Sequence, residues 1–213
     1  SNTIGRALLD FVPGAREVFL DEGTQGEWRI RSLRTMAGSG GPRTVHRENG
    51  VDIVVDLSKA YFSPRLAAEH WRITCLVEQD ETVLDMFTGT GGFPLTIAKN
   101  RKPKRIKAVD INPHAIELLE ESIHLNKLQG LETCVGDAMN IDPNIQADRV
   151  LMNLPHGARR FLAHALNCTR PGGAIHYHEI LDTSMLDELE RMLEIKYDVA
   201  ISDRREVRTY APG

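Results

Sequence analysis

Residues 83–93, with the sequence Val-Leu-Asp-Met-Phe-Thr-Gly-Thr-Gly-Gly-Phe, form the stretch that decides the fold. A short apolar strand ends on Asp85, the chain passes through Gly89, Gly91 and Gly92, and a helical pattern begins. Glycines let the backbone come close to a ligand because they have no Cβ atom. The start of the helix offers unpaired N–H groups. The pattern therefore predicts a nucleotide-type ligand at the carboxyl end of a parallel strand.

Two features of this loop disfavour a dinucleotide as the ligand. The G-x-G-x-x-G pattern requires a third glycine or alanine where Pro94 stands. The carboxylate of Asp85 would also repel a pyrophosphate. S-adenosylmethionine (AdoMet) carries an ammonium group and no phosphate, so a nearby carboxylate would attract it. The loop therefore favours AdoMet over NAD.

Acidic residues also end the next two predicted strands. Asp110 ends strand 105–110 and lies 21 positions after Gly89 (110 − 89), the spacing at which a carboxylate binds both ribose hydroxyls. Asp137 follows strand 131–135, where AdoMet sites have an acid that accepts the adenine amino group. One such aspartate is often only a solvated turn residue, but three at successive strand ends favour a cofactor site. The residues predicted to bind the cofactor are Asp85, Phe87, Gly89, Gly91, Asp110, Asp137, Ala138 and Asn153.

The composition narrows the class of protein. Of the 213 residues, 41% are hydrophobic and 26% are charged, as in an ordinary globular domain. The net charge of −4 argues against a generally basic nucleic-acid binder, although basic residues cluster locally at 101–107. No apolar run is long enough for a membrane span, and the three cysteines lack zinc-site spacing. We therefore expect a cytoplasmic protein with reduced thiols, no metal site and no membrane partner.

The order of predicted elements separates two units. Residues 3–60 are strand-rich and include Asn49-Gly50, the strongest short signal for a β-hairpin. From residue 61 onward strands and helices alternate, which is typical of a parallel sheet with helices on both faces. We therefore predict an α/β fold, with a Rossmann-like class I methyltransferase domain over 61–213. Its sheet is doubly wound and mostly parallel, and residues 3–60 form a small strand-rich N-terminal unit.

Within the larger unit, the apolar pattern predicts a helix from Ser63 to about Gln79. The last predicted element is a strand over 198–208, close to the final residues Tyr210–Gly213. AdoMet-dependent sheets of this class usually finish with a seventh, antiparallel strand, which we expect to be missing here. The other predicted elements are strand 82–87, helix 93–100, strand 105–110, helix 113–127, strand 131–135, strand 148–153, helix 157–168, strand 173–181 and helix 184–196.

Asn153 stands at the end of predicted strand 148–153 and is followed by Leu154-Pro155. Many AdoMet enzymes that modify a base nitrogen have Asn or Asp, an apolar residue and then Pro at this place. A carboxamide at a strand end presents an acceptor and a donor to one base edge, and the proline fixes the turn. The same residues would form an ordinary turn in a protein without such a ligand. Their position beside three acids favours recognition of a base.

These motifs together resemble the archaeal and eukaryotic type of tRNA (guanine-37-N1)-methyltransferase. The resemblance covers essentially the whole chain, although family members usually have a further small N-terminal domain that helps to hold the tRNA elbow. The matching stretches are Gly26–Arg29, Asp56–Glu69, Asp85–Gly89, Asp110–Pro113, Met152–Pro155, Pro171–Tyr177 and Tyr210–Pro212.

The resemblance implies AdoMet-dependent methylation of N1 of guanosine 37, with tRNA as the partner of a monomeric protein. Guanine N1 carries a proton at neutral pH, so a base must remove it while negative charge develops on O6. By motif, the base is Glu69, Arg29 and Arg65 are the candidates for stabilising O6, and Asn153 completes the catalytic set. Arg65 and Glu69 are four positions apart and would share one face of a helix. An ordinary surface ion pair has the same spacing.

Three other functions remain open. Relatives in the wybutosine pathway transfer the aminocarboxypropyl group of AdoMet to a modified guanosine in tRNA, but they tend to lack Asn-Leu-Pro after the fourth strand. A non-catalytic RNA-binding module is disfavoured because a mere binder needs no aligned acids. A small-molecule methyltransferase is disfavoured by Arg29 and Arg31, which are more natural contacts for a nucleic acid.

Two histidines raise the question of a metal. His176 and His178 share one face of a predicted strand, but no cysteine or further histidine lies nearby in the sequence. The family has no metal site, so we predict that both histidines pack in the core. His70 stands where relatives often carry arginine.

Overall fold

The fold was analysed in a computed structural model that describes residues 2–26, 28 and 30–207. Six α-helices and nine strands are present in these ranges, together with short 3₁₀ turns. In chain order they are α1 (Asn2–Phe11), β1 (Glu17–Gln25), β2 (Ile30–Gly38), β3 (Arg43–Glu48), β4 (Val51–Asp56), α2 (Ala67–Leu76), β5 (Thr82–Asp85), α3 (Gly92–Asn100), β6 (Arg105–Asp110), α4 (Pro113–Asn126), β7 (Leu131–Val135), β8 (Ala147–Met152), α5 (Leu162–Cys168), β9 (Thr169–Tyr177) and α6 (Leu186–Tyr197).

Strands β5 to β9 form one parallel sheet with the order β7-β6-β5-β8-β9. The chain leaves β5 toward β6 on one side and later returns to β8 on the other side. This reversal leaves a crevice at the carboxyl end of β5, where open α/β sheets bind their ligands. The predicted α/β fold with a parallel sheet is confirmed, and the sheet places the glycine-rich loop at its ligand-binding edge.

Alternation along the central strands places apolar side chains on both faces of the sheet. Leu84 and Val150 pack in one cluster with residues of α5 and α6. Val83 and Leu151, one position away in each strand, pack in another cluster with residues of α2 and α3. A strand that is buried on both faces has this near-continuous apolar sequence.

The predicted hairpin at Asn49-Gly50 is confirmed. Strands β3 and β4 pair antiparallel, and Asn49 and Gly50 have φ angles of 46° and 80°. Positive φ at both central residues is the geometry of a type I′ turn, which asparagine and glycine tolerate best. The inward side chains of β4, such as Ile53, pack with Leu95 of α3 and Leu119 of α4. The hairpin thus shares a core with the parallel sheet, and the proposed domain boundary at residue 60 stays a prediction.

Other predicted elements differ from the structure. The helix expected from Ser63 to Gln79 begins as a 3₁₀ turn at Pro64–Leu66 and continues as α2, which ends at Leu76. The N-terminal helix α1 was not predicted. None of the helices in the described ranges is long and apolar enough to cross a membrane.

The strand predicted over 198–208 is wrong for residues 198–207, which form no strand, and residue 208 lies outside the described residues. Charged side chains of this segment pair with helices instead of facing a neighbouring strand. Arg204 binds Asp187 of α6, and Asp203 lies near Arg72 of α2. The segment thus contacts helices α2 and α6, and it pairs with no strand within the described residues.

Candidate active site

A broad cleft of about 2760 Å³ opens at the carboxyl ends of the parallel strands and continues along β9 to its first residues and along residues 197–207. It is larger than common ligand pockets of about 300–1,000 Å³, because it includes this groove beside β9 as well as the edge where the strands end. Most of the predicted site residues line it, namely Glu69, Phe87, Gly89, Asp110, Asp137, Ala138 and Asn153. Asp85 and Gly91 are buried, Arg65 is exposed, and Arg29 lies outside the described residues.

Asp110 connects the end of β6 to the glycine-rich loop after β5. Its Oδ2 atom accepts a hydrogen bond of 2.7 Å from the N–H of Gly89, and its Oδ1 atom accepts one of 2.9 Å from the N–H of Asn112. Burial raises the pKa of Asp110, although these N–H groups act in the opposite direction. Gly89 has a φ angle of +54°. The carboxylate therefore lines the cleft and also fixes the shape of the loop.

Three buried polar side-chain atoms in or under the cleft have no partner in good hydrogen-bond geometry among the described residues, namely Oδ2 of Asp85, Oγ1 of Thr88 and Nδ1 of His178. The hydroxyl of Thr88 is nevertheless close enough to Asp85 to lower the pKa of that carboxyl in part. The other oxygen of Asp85, Oδ1, accepts a hydrogen bond of 3.3 Å from the N–H of Phe87. Burial raises the pKa of Asp85 to about 7. Unsatisfied buried polar atoms cost about 1–3 kcal/mol each, so this loop is suited to a ligand that supplies the missing donors or a positive charge.

Gly91 has a packing role that the sequence did not reveal. Its φ angle is +92°, and a Cβ atom at this position would lie 2.3 Å from Cδ1 of Leu119 in α4. Gly92 is equally confined, because its Cβ atom would lie 2.3 Å from the ring of His70. These two glycines allow α3 to start against α2 and α4. The expected direct contact of Gly91 with the cofactor stays a prediction.

An apolar surface lies beside Asp137. Its Oδ1 atom accepts a hydrogen bond of 2.9 Å from the N–H of Met139, so the carboxylate is held at the start of a 3₁₀ turn. Met139 and Ile111 are half-exposed in the cleft, at 48% and 49% of their full surface, and Ala138 is buried. A flat heterocycle with an exocyclic amino group fits between such apolar side chains and a carboxylate.

Glu69 lies on α2, lines the cleft and is only 6% exposed. Arg72 binds both of its carboxylate oxygens, at 2.6 and 2.8 Å, and Nε2 of His178 lies 3.2 Å from Oε1. Burial alone would raise the pKa of Glu69. The hydrogen bonds from Arg72 and His178 outweigh burial and lower the pKa to about 2.

The surface ion pair between Arg65 and Glu69, the alternative explanation of their spacing, is not observed, and the role of Arg65 at O6 stays a prediction. Arg65 belongs to the 3₁₀ turn before α2, is exposed, and forms no ion pair within the described ranges. The cation that binds Glu69 is Arg72, three positions further along the chain. The i,i+3 spacing of Glu69 and Arg72 was visible in the sequence, but the family motif drew attention to Arg65.

The two histidines after residue 175 have different surroundings. His176 lies 2.8 Å from Arg149, and burial together with the charge of Arg149 lowers its pKa to about 3. His178 packs beside the ring of Phe93, with its Nδ1 atom buried, while its Nε2 atom contacts Glu69 at the cleft, a contact that the prediction of core packing did not include. The described residues contain no group of His, Cys, Asp and Glu side chains that could hold a metal ion.

Asn153 is half-buried at the end of β8, in the turn that lines the cleft. The N–H groups of Gly157 and Ala158 bond to the carbonyl of Leu154 and fix this turn. The carboxamide of Asn153 has no hydrogen-bond partner among the described residues. Its donor and acceptor are therefore available to a ligand.

Comparison with known proteins gives concordant matches. The family model of the TRM5/TYW2 methyltransferase domain matches residues 44–202. The tRNA (guanine(37)-N(1))-methyltransferase Trm5b of Pyrococcus abyssi is 38% identical over 98% of the chain, which spans 64% of the length of that relative. The tRNA(Phe) (4-demethylwyosine(37)-C(7)) aminocarboxypropyltransferase of Methanocaldococcus jannaschii is 31% identical over 88% of the chain and 78% of its own length.

A solved complex of aTrm5 with tRNALeu superposes with a TM-score of 0.90 at 38% identity. The superposition covers 99% of the chain and 62% of that structure. These matches confirm the resemblance that the motifs indicated and, with it, the fold class.

Proposed function

Because the chain belongs to the TRM5/TYW2 methyltransferase domain family, we propose that it transfers the methyl group of AdoMet to N1 of guanosine 37 in tRNA. The observation that carries this proposal is the meeting of Glu69 and Asn153 in one cleft with Gly89, Asp110 and Asp137. A buried carboxylate and a free carboxamide lie on the walls that a base would enter. The strand ends that suit a nucleoside cofactor lie at the same cleft.

The residues at the strand ends fit AdoMet by their chemistry. Asp110 offers a carboxylate to the ribose hydroxyls, and Asp137 offers one to the adenine amino group, with Ile111 and Met139 beside the ring. The unsatisfied oxygen of Asp85 suits the ammonium of the amino-acid group, although Asp85 lies deeper than the cleft surface. When bound, AdoMet supplies an electrophilic methyl group on a positively charged sulfur.

The side chains of this chain then act on the guanine. Glu69 accepts the proton from N1, which makes the N1 electron pair available for methyl transfer. Asn153 holds the Watson–Crick edge of the base through its carboxamide. A cation is needed near O6, where negative charge develops. Arg29 and Arg65, by their motifs, are the candidates for this contact.

The same proposal includes the substrate, the oligomeric state and the compartment. The substrate is tRNA, the protein acts as a monomer, and the compartment is the cytoplasm. The superposition with the aTrm5–tRNALeu complex over 99% of the chain supports tRNA as the substrate. The chain spans 64% of the length of the Pyrococcus abyssi relative.

Aminocarboxypropyl transfer is the second candidate, because a relative with that name is 31% identical over 88% of the chain. AdoMet labelled in the methyl group and AdoMet labelled in the carboxyl group separate the two reactions. Each is incubated with transcripts that carry G or A at position 37 and with tRNA(Phe) that carries 4-demethylwyosine there, the substrate that the name of this relative gives. The nucleosides are identified by mass spectrometry. We expect methyl label in 1-methylguanosine from the G37 transcript alone. Carboxyl label in the RNA would overturn the proposal in favour of the second candidate.

A further inference from the structure

The hydrogen bonds of Glu69 use its two oxygens unequally. Oε1 accepts from Nη2 of Arg72 at 2.6 Å and faces Nε2 of His178 at 3.2 Å, whereas Oε2 accepts only from Nε of Arg72 at 2.8 Å. An ionised carboxylate has about four acceptor positions, two on each oxygen. Oε1 is therefore filled by its two donors, and Oε2 retains one free acceptor position.

We propose that Arg72 is a positioning residue that holds the Glu69 carboxylate ionised and leaves Oε2 as the atom that receives the N1 proton of guanine. This inference rests on the proposed function and specifies how its base works. The N1–H bond breaks and the proton bonds to Oε2. The N1 electron pair forms the bond to the methyl carbon, and the electron pair of the breaking carbon–sulfur bond stays on sulfur. The negative charge of Glu69 and the positive charge of the sulfonium disappear together.

Arg72 is the cation whose place in the fold suits this task. Its side chain is 24% exposed and lines the cleft, so it lies between the protein interior and the substrate side. Its planar fork binds both carboxylate oxygens, which fixes the rotation of the carboxylate as well as its charge. Arg65, in contrast, is exposed on the preceding turn.

Few other charged groups face this ion pair in the described part of the chain. His178 and His176 approach from the end of β9, and Arg149 lies behind His176. Asp203 of the C-terminal segment lies 3.7 Å from Nη1 of Arg72 and also binds Arg205. Burial and Arg149 keep His176 neutral across physiological pH, since its pKa is about 3. Arg72 is thus the main positive charge on Glu69.

A strongly paired carboxylate is a weak base, and the reaction tolerates this weakness. The proton leaves N1 while the N1–methyl bond forms, so formation of that bond offsets the unfavourable transfer of the proton to a weak base, and only part of a negative charge develops on O6. Even a weak base then accepts the proton in the transition state. In return, the carboxylate is ionised at every physiological pH, despite a site whose burial favours the protonated form.

The pH dependence of the single-turnover methylation rate tests this inference. The variant Arg72→Gln removes the charge while burial of Glu69 remains, so the pKa of Glu69 should rise above its ordinary value. We expect the wild-type rate to show no acidic limb between pH 5 and pH 8. The Arg72→Gln rate should be about tenfold lower at pH 5 than at pH 8. Arg72→Lys keeps the positive charge but cannot bind both carboxylate oxygens through a planar guanidinium group. Its pH profile should lie between those of the wild type and Arg72→Gln.

Arg47→Gln is the matched control. Arg47 also binds a carboxylate through two nitrogens, at 2.6 and 2.7 Å to Asp52, but it lies exposed on the β3–β4 hairpin. Its pH profile should coincide with that of the wild type. An Arg72→Gln profile that parallels the wild type at a uniformly lower rate would show a purely structural role and overturn the inference.

A direct titration covers the case in which Arg72→Gln does not fold. NMR of wild-type protein with ¹³C-labelled glutamate carboxyls gives one resonance for each glutamate, and the resonance of Glu69 is the one that is missing in Glu69→Gln. The inference requires that the Glu69 carboxylate stays ionised below pH 4. A titration midpoint at or above the ordinary glutamate value of about 4.3 would overturn the inference. Failure of the proposed function is distinct, since the wild type would then form no 1-methylguanosine in the G37 transcript, whereas the titration of Glu69 does not depend on activity.

Discussion

The carboxylate of Asp110 accepts a hydrogen bond from the N–H of Gly89 at 2.7 Å, which fastens the end of β6 to the loop after β5. The same carboxylate lines the cleft where the ribose of a nucleoside cofactor would bind. Asp110 therefore shapes the loop and also meets the ligand. A substitution that separates these two effects is informative.

Asp110→Ala should weaken AdoMet binding by about 1–3 kcal/mol, because hydrogen-bond partners of a charged group are lost. Asp110→Asn keeps an acceptor for Gly89 and loses the charge, so its affinity should lie between those of the wild type and Asp110→Ala. Isothermal titration calorimetry measures both. Asp142→Asn is the control, since Asp142 caps a 3₁₀ turn and is exposed. Unchanged affinity in Asp110→Ala would refute the ribose assignment.

Gly91→Ala should destabilise the fold by about 2–5 kcal/mol, the sum of left-handed backbone strain and overpacking. The added Cβ atom would meet Leu119, which is fully buried and has little room to move. Gly130→Ala is the matched control, because Gly130 has a φ angle of +76° with no atom within 4 Å of an added Cβ. The free energy of unfolding of Gly130→Ala should fall only by the cost of the left-handed backbone strain, about 1–2 kcal/mol. Equal losses in urea unfolding would argue against the packing role of Gly91.

Asp85 should make the stability of the cofactor-free protein depend on pH. Its folded-state pKa is about 7, above the unfolded value of about 3.9. Between these values the folded state binds more protons than the unfolded state, so the free energy of unfolding falls as the pH rises from 4 to 7. The loss is complete above pH 7.

Asp85→Asn removes this contribution. At pH 8 the variant should be more stable than the wild type by at most roughly 4 kcal/mol, and near pH 4 the two should be similar. Asp110, whose pKa is also raised by burial, leaves a slope of the same sign in the variant. Denaturant unfolding between pH 4 and pH 8 provides the measurement. The same pH slope in both proteins would contradict a buried, protonated Asp85.

Local signals in the sequence were enough to predict the parallel sheet and the hairpin. An apolar strand that ends at Asp85 and is followed by glycines indicates a parallel strand with a ligand loop. Asn49-Gly50, with positive φ at both residues, indicates a type I′ hairpin turn. The segment 199–207 was mistaken for a strand because its alternation is similar. Its ion pairs with α2 and α6 depend on tertiary neighbours, which a single sequence does not display.

The candidate site was predictable where a motif fixes a strand end, as at Asp110, Asp137 and Asn153. It was less predictable where two elements meet. The contact of His178 with Glu69 joins residues 109 positions apart, and no spacing rule reveals it. Which arginine pairs with Glu69 depends on where the 3₁₀ turn ends and α2 begins, because Arg65 belongs to the turn and Arg72 belongs to α2. Helix boundaries of this kind are the least reliable part of a sequence-based prediction.

Glu69→Gln should lower the single-turnover methylation rate by about 10²–10⁴-fold near pH 7, the usual contribution of a general base. Glutamine keeps the shape of the side chain and an acceptor for Arg72 but cannot take up the N1 proton, so AdoMet affinity should be nearly unchanged. The defect should shrink at high pH, where solvent deprotonates N1 unaided. Glu132→Gln is the control, because Glu132 is bound by Arg105 at 2.6 and 2.9 Å on the exposed surface. If Glu69→Gln reacts at the wild-type rate, the base is another group, and Asp110 or a water held by Asn153 should be tested next.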